Sequence, residues 1–306
     1  MVDGPANPAP DGDAVAATAA SARALSDTLV TYRDLLGGPE LVADLAARAD
    51  VPEEWLRHRL GTSLEEAAQA IRFLTRHLRP GVQILEVGAG LGLTSAVLAS
   101  SGFAVTSIEP GGEGFEEYRR LNPALRERLR LAHPHHEVTI QDITPGVLGS
   151  FDVVFSNNVL EHVHDVEDTL MRLDALLVPG GVMVHGCPNY TVPYEPHFGI
   201  PLVPVRPQWT ARLLPSSIRD TGLWRSINFV TAQDVLRVAG RVGRMVELDE
   251  GILADAISRL RADAHFAGRH HMIARAAALL GFLDGPLRRL PPAVTTPMVF
   301  RWYRPR

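Results

Sequence analysis

The chain has 306 residues, 46% hydrophobic and 21% charged, a globular composition that excludes disorder throughout. All 30 Lys+Arg residues are Arg, so Schiff-base chemistry, pyridoxal-phosphate attachment and a Walker A lysine are excluded. Net charge is −5 and the arginines are scattered, which gives no footprint for a polyanion, and no nucleic-acid partner is expected. The single Cys187 leaves no internal disulfide or Cys-rich zinc site and fits a reducing cytoplasm. No apolar run approaches the ~20 residues that span a bilayer, and the first residues lack the basic-then-apolar order of a secretory signal. A cytoplasmic protein without an integral membrane segment, monomeric or homodimeric, is expected.

In chain order, residues 1–22 are rich in Ala, Pro, Gly and Asp and read as a disordered tail. Residues 23–80 form an N-terminal helical region, in which Ser63 and Glu66 suggest a capping box ahead of a stripe through Leu64, Ala67, Ile71, Leu74 and Leu78. That stripe covers the sheet and is a candidate roof for a ligand. Residues 81–186 alternate short apolar runs with helical segments. Strands are expected at 82–87, 104–109, 138–141, 151–156 and 181–186, with helices starting near Leu93, Gly114 and Val166. Such alternation implies a parallel sheet with right-handed crossovers, helices on both faces and ligands at the strands' carboxyl ends. Residues 187–230, Pro-rich and aromatic, are too long for a simple connection and read as a substrate lid. Residues 231–306 return to the core: a helix near 231–242, a strand at 245–248, helical sequence from about 253 to 283, and a last strand at 298–303.

The most informative segment is Ile84-Leu85-Glu86-Val87-Gly88-Ala89-Gly90-Leu91-Gly92, an apolar strand running into three glycines and then a helix. Glycine lets the backbone turn tightly against a ligand, and the free N–H groups of a helix start favour an anion. Glu86 can accept hydrogen bonds from an ammonium group. A nicotinamide-dependent oxidoreductase is one alternative, but a dinucleotide fingerprint wants its third glycine where this chain has Leu93.

This stretch resembles motif I of the class I S-adenosylmethionine-dependent methyltransferases, and the resemblance continues through Glu109, Asp142, the segment FDVVFSNNVLEHVHD (151–165) and LVPGGVMVHG (177–186). It implies a Rossmann-like, seven-stranded, mostly parallel α/β sheet with an antiparallel last strand, and S-adenosylmethionine as cofactor. It further implies a cofactor site of Glu86, Gly88, Ala89, Gly90, Gly92, Glu109, Pro110, Asp142, Ile143 and Asn157, with Glu109 on the ribose hydroxyls, Asp142 near the adenine amino group and Ile143 against the ring. About fifty mostly helical residues stand where the family places a short hairpin between its last two strands. PNYTVPYEPHFGIPLVP resembles a stretch of a bacterial subgroup and points to an acceptor pocket.

Methyl transfer from a sulfonium is an in-line displacement in which the protein mainly positions the nucleophile and excludes water. A hydroxyl acceptor also needs a base, for which His162 and His197 are the candidates. Asn158, Tyr190, Tyr194, Glu195 and Phe198 are candidate acceptor contacts, with Trp209 completing an apolar wall. The LEHV segment also resembles quinone-biosynthetic methyltransferases, some of which hold a divalent cation here with acids and a His. Asn158 stands where a further acid is wanted, and Glu161 with His162 alone make a poor metal site, so no metal is expected. His133-Pro134-His135-His136 reads as a solvated loop. The expected activity is methylation, most simply at oxygen, of a small-molecule, glycoside or lipid-linked acceptor. A subunit that binds the cofactor without catalysis is the other alternative.

Overall fold

The computed structural model describes residues 12–112, 114–143, 146–262 and 284–306. Three helices open the chain: α1 (Gly12–Gly37), α2 (Pro39–Ala49) and α3 (Glu53–Leu74). Residues 12–22 are therefore helical, where a disordered tail was expected. Ser63 and Glu66 lie in the middle of α3 and form no capping box, because the helix already starts at Glu53 behind Pro52.

The core then follows as β1 (Gln83–Val87), α4 (Leu93–Ser100), β2 (Ala104–Ile108), α5 (Glu117–Leu129), β3 (His135–His136), β4 (Phe151–Asn157), α6 (Val166–Leu176) and β5 (Leu177–Cys187). The lid carries a small hairpin, β6 (Tyr194–Glu195) with β7 (Ile200–Pro201), and two short helices, α7 (Ser216–Arg219) and α8 (Gly222–Ser226). The chain closes with α9 (Ala232–Arg241), β8 (Met245–Leu248), α10 (Ile252–Ala262) and β9 (Met298–Tyr303). The helical sequence expected beyond Ala262 and up to residue 283 lies outside the described residues.

Seven strands pair in the order β3-β2-β1-β4-β5-β9-β8. Strands β1 to β5 are parallel, and β9 inserts antiparallel between β5 and β8. The expected antiparallel last strand is thus present, and the long connection between β8 and β9 leaves its register intact. Successive strand residues alternate between two cores. Ile84, Val153, Phe155 and Val184 face α1 to α5, while Leu85, Val154, Met183, Phe300 and Trp302 face α6 and α9. The three N-terminal helices therefore build one layer together with α4 and α5.

The third strand falls at His135–His136 and not at 138–141. Ser107 Oγ lies 2.9 Å from His135 Nδ1, tying that histidine to β2 and placing it in the sheet, not in a loop. The apolar run Val138–Gln141 is broken because Thr139 and Asp142 cap each other and wind Ile140–Asp142 into a 3₁₀ turn. Local side-chain hydrogen bonds of this kind compete with strand pairing.

On the far face Asp174 of α6, 4% exposed, accepts from Arg244 Nε (2.9 Å), Arg244 Nη2 (2.8 Å) and the buried Trp302 Nε1 (2.8 Å). Asp174→Ala leaves an indole N–H and a guanidinium without their acceptor. It is expected to lower unfolding free energy by about 2–4 kcal/mol in a denaturant titration.

Candidate active site

A cleft of about 400 Å³ opens at the carboxyl ends of β1, β2 and β4. Its floor is the turn after β1. Gly88, Gly90 and Gly92 all have positive φ (68°, 54° and 75°). A side chain at Gly88 would drive into Val159, and one at Gly90 would press on the Tyr118 ring. Both positions need a left-handed backbone, and Gly88 adds a close approach, which glycine alone meets without strain.

Two buried acids hold this turn. Glu109 follows β2 and accepts from Gly90 N (2.8 Å) and Gly111 N (2.7 Å). Burial pushes its carboxyl above the ordinary glutamate range, against the pull of those two N–H groups. A carboxylate offers about four acceptor positions, so Glu109 keeps capacity for vicinal hydroxyls. Glu86 accepts from Ser95 N (2.9 Å) and from the Ser95 hydroxyl, at the start of α4. Burial pushes its carboxyl up to about 7.

The sequence expectations meet this cleft unevenly. Glu86, Gly88, Ala89, Gly90, Glu109, Pro110, Asn157, Asn158, His162 and His197 line it, and Gly92 caps α4 immediately behind. Asp142 and Ile143 do not. The Asp142 carboxylate is turned back onto Thr139, and Ile143 faces a separate hollow with Ile140, Met171 and Leu176. Their neighbours Val138, Thr139, Ile140 and Gln141 line the cleft instead. Arg59, Ser63 and Glu66 of α3 also reach it, and Asn158 Nδ2 donates to Glu66 Oε1 (3.2 Å). The helical stripe points to a roof without naming site residues: Ser63 and Glu66 read in sequence only as a helix cap, and nothing there marks Arg59.

The apolar wall expected in the lid is absent from the cleft lining. Tyr190, Leu202, Trp224 and Ile227, with Phe198 and Phe229 packed against them, form the lid's own core, and Tyr190 and Phe229 meet edge to face at 5.2 Å. Tyr194 sits in the hairpin, and Trp209 is exposed on the lid's outer surface. From the lid only His197, Leu223 and Ser226 line the cleft.

His197 and His162 are brought together, ring centroids 5.0 Å apart. His197 Nδ1 bonds Glu195 Oε1 at 2.6 Å. Glu195 is fully buried, accepts from Phe198 N (2.8 Å) and takes the Tyr190 hydroxyl (3.3 Å). It is therefore a holder of His197 and not an acceptor contact. Burial alone would press the His197 pKa down, but the Glu195 hydrogen bond and charge, with Glu161 and Glu66, carry it above the ordinary histidine value. Burial drives the His162 pKa down to about 3, with the neighbouring His197 adding to it. The Ser226 hydroxyl donates to Leu223 O (2.9 Å), so its oxygen accepts from His162 Nδ1 (2.8 Å) and the ring turns Nε2 inward.

Both Nε2 atoms approach Glu161, at 4.0 Å from His162 and 3.9 Å from His197. Glu161 is wholly buried, neither carboxylate oxygen has a hydrogen-bond partner, and burial pushes its carboxyl up to about 7. Donor atoms of Glu161, His162 and His197 all lie within 4.8 Å of one another. The expectation of only two possible metal ligands is thus corrected: the lid supplies a third, which adjacency in sequence could not reveal.

A family profile described as a methyltransferase domain matches residues 54–243, more than half of the chain. The chain belongs to this methyltransferase family. An uncharacterized protein of Mycobacterium tuberculosis (strain ATCC 25618 / H37Rv) is 34% identical over 236 residues, 74% of this chain and 73% of that protein. A ubiquinone biosynthesis O-methyltransferase of Methylocella silvestris is 36% identical over 121 residues, 40% of this chain and 45% of that enzyme. Among solved structures, an S-adenosylmethionine dependent methyltransferase from Mesorhizobium loti is 16% identical, with a TM-score of 0.49 over 78% of this chain and 98% of that one. This methyltransferase has a Rossmann-like fold, a mostly parallel sheet with helices on both faces. None of the described helices is long and apolar enough to cross a membrane.

Gly90→Val forces a β-branched residue into the left-handed region, at a cost of roughly 1–2 kcal/mol before any contact with Tyr118. Calorimetry is expected to show S-adenosylmethionine binding weakened about tenfold or more.

Proposed function

We propose that this methyltransferase methylates a hydroxyl of its small-molecule acceptor, with His197 as the general base. One observation carries this reading: His197 lines the cleft and its Nδ1 is fixed by the 2.6 Å bond to Glu195, which leaves Nε2, 3.9 Å from Glu161, as the ring atom that can take a proton. A base in that position takes the hydroxyl proton as the oxygen attacks the sulfonium methyl. Placement of this sort contributes typically ~10²–10⁴ in rate. The turn from Gly88 to Gly92 carries the nucleoside end of the cofactor, Glu109 its ribose, and Glu86 and Asn157 its amino-acid end, while the 138–141 stretch borders the base. His162, neutral at any working pH, packs between Phe115 and His197 and shapes the acceptor side with Asn158. Oxygen as the target agrees with the O-methyltransferase relatives, two of which match 40% and 37% of the chain.

His197→Ala is expected to reduce turnover by about 10²-fold or more with S-adenosylmethionine affinity unchanged, measured by S-adenosylhomocysteine release and calorimetry. A cofactor-binding subunit without catalysis would show no release to compare. Because His197 must be neutral to accept a proton, kcat should rise with pH through a midpoint above the ordinary histidine value. Glu195→Gln removes the charge that raises it, so the midpoint should move to lower pH.

A second reading rests on Glu161. Its two unpartnered oxygens and the two facing Nε2 atoms suit a divalent cation, which Glu161, His162 and His197 would hold. Bound there, a cation supplies Lewis acidity that lowers the acceptor hydroxyl's pKa. Exhaustive dialysis against EDTA separates the two: the base reading expects full turnover afterwards, and a loss restored by Mg²⁺ or Mn²⁺ transfers the role to the cation.

A further inference from the structure

The lid carries a surface that methyl transfer does not use. From Pro196 to Arg219 there is no acidic residue, although the whole chain bears a net charge of −5. At its centre is a 3₁₀ helix, Pro207–Arg212, which with Arg206 places Arg206, Trp209 and Arg212 at intervals of three residues. Such residues eclipse one another in a 3₁₀ helix. Both guanidinium groups accordingly sit over the Trp209 ring, at 4.9 Å and 5.4 Å from its centre. Neither arginine has a carboxylate partner among the described residues.

Exposed apolar residues flank this stack on both sides. Val205 is 96% exposed, Leu213 77% and Trp209 45%. Val205 holds a φ of 66°, strained for a β-branched residue, and no packing of its side chain compensates. The scaffold beneath is fixed: Thr210 is buried, its hydroxyl accepts from Val203 N (2.9 Å), and Leu202 and Leu214 belong to the lid core. The fold therefore presents Val205, Trp209 and Leu213 to the outside on a rigid support, beside two arginines with no carboxylate partner among the described residues.

We infer that this face docks onto an anionic lipid bilayer, Trp209 seating at the headgroup level, Val205 and Leu213 entering the acyl boundary, and Arg206 and Arg212 meeting lipid phosphates. An indole with one apolar and one polar edge belongs at that depth, and arginine pairs bidentately with phosphate. An apolar surface together with like-signed charge is the combination by which proteins lie on anionic membranes without crossing them. An acidic protein partner would satisfy the arginines but offers no reason for a valine held outward at the tip. This inference goes beyond the assigned chemistry and stands independently of the choice of base.

The test is flotation of the full chain with vesicles of phosphatidylcholine alone or with 30% phosphatidylglycerol, an added fraction of about that size being enough to charge the surface. The full chain is expected to float with the anionic vesicles, to stay behind with neutral ones, and to be released by about 0.5 M salt. Arg206→Ala with Arg212→Ala, and separately Val205→Asp with Leu213→Ser, should each reduce the floated fraction at least fivefold, with S-adenosylmethionine affinity unchanged as evidence of folding. Flotation that is equal with both vesicles, absent from both, or unaltered in both variants overturns the inference. So does salt-sensitive binding to poly-glutamate without flotation, which gives the surface to a protein. No methyl transfer is measured, so this result and that for His197 are read separately.

Discussion

Two carboxylates at the tips of adjacent strands hold the bend on which the cleft is built. Glu86 ties β1 to the first turn of α4, and Glu109 ties β2 to the glycines between them. Each is buried and each is bonded to backbone N–H groups, so their desolvation is offset by hydrogen bonds that also fix the path of the chain. With the three glycines left-handed and the two acids in place, the cleft floor is set before any ligand arrives. Both acids also line the cleft, so one pair of side chains holds its floor and contributes to its inner surface.

A second pair of acids organises the opposite wall. Glu195, inside the lid, and Glu161, after β4, bracket His197 from its two nitrogens. Glu195 is fully satisfied and orients; Glu161 is buried with no hydrogen bond and stays energetically unsettled until a proton or a positive charge comes close. Against the cost of its burial, Glu195 and Glu161 together raise the His197 pKa, while burial drives that of the adjacent His162 down.

The core was legible in the sequence because its signals are local. Alternating apolar runs, glycines at fixed spacing and an acid at the end of the second strand each have a short-range physical cause, and the structure places Glu86, Glu109 and the glycines together. What was misread depended on side-chain bonding or on distance along the chain. Thr139 and Asp142 bond to each other and divert an apolar run from the sheet, withdrawing Asp142 from the cleft. Lid aromatics pack among themselves, because a segment this long needs a core of its own. Glu66 on α3, and the meeting of Glu161 with His197, arise from contacts between segments far apart in sequence, which no spacing rule encodes.

Two asparagine amides fasten the lid at its ends. Asn189 donates to the carbonyls of Ala293 and Thr295 and accepts from the backbone of Thr191 and Ala232, while Asn228 donates to those of Leu160 and Val163 and accepts from Val230. The 38 residues between them form a cassette clipped at two points to the rest of the chain. They include His197, Leu223 and Ser226, the lid's whole contribution to the cleft lining. The two amides therefore also set where those three side chains stand.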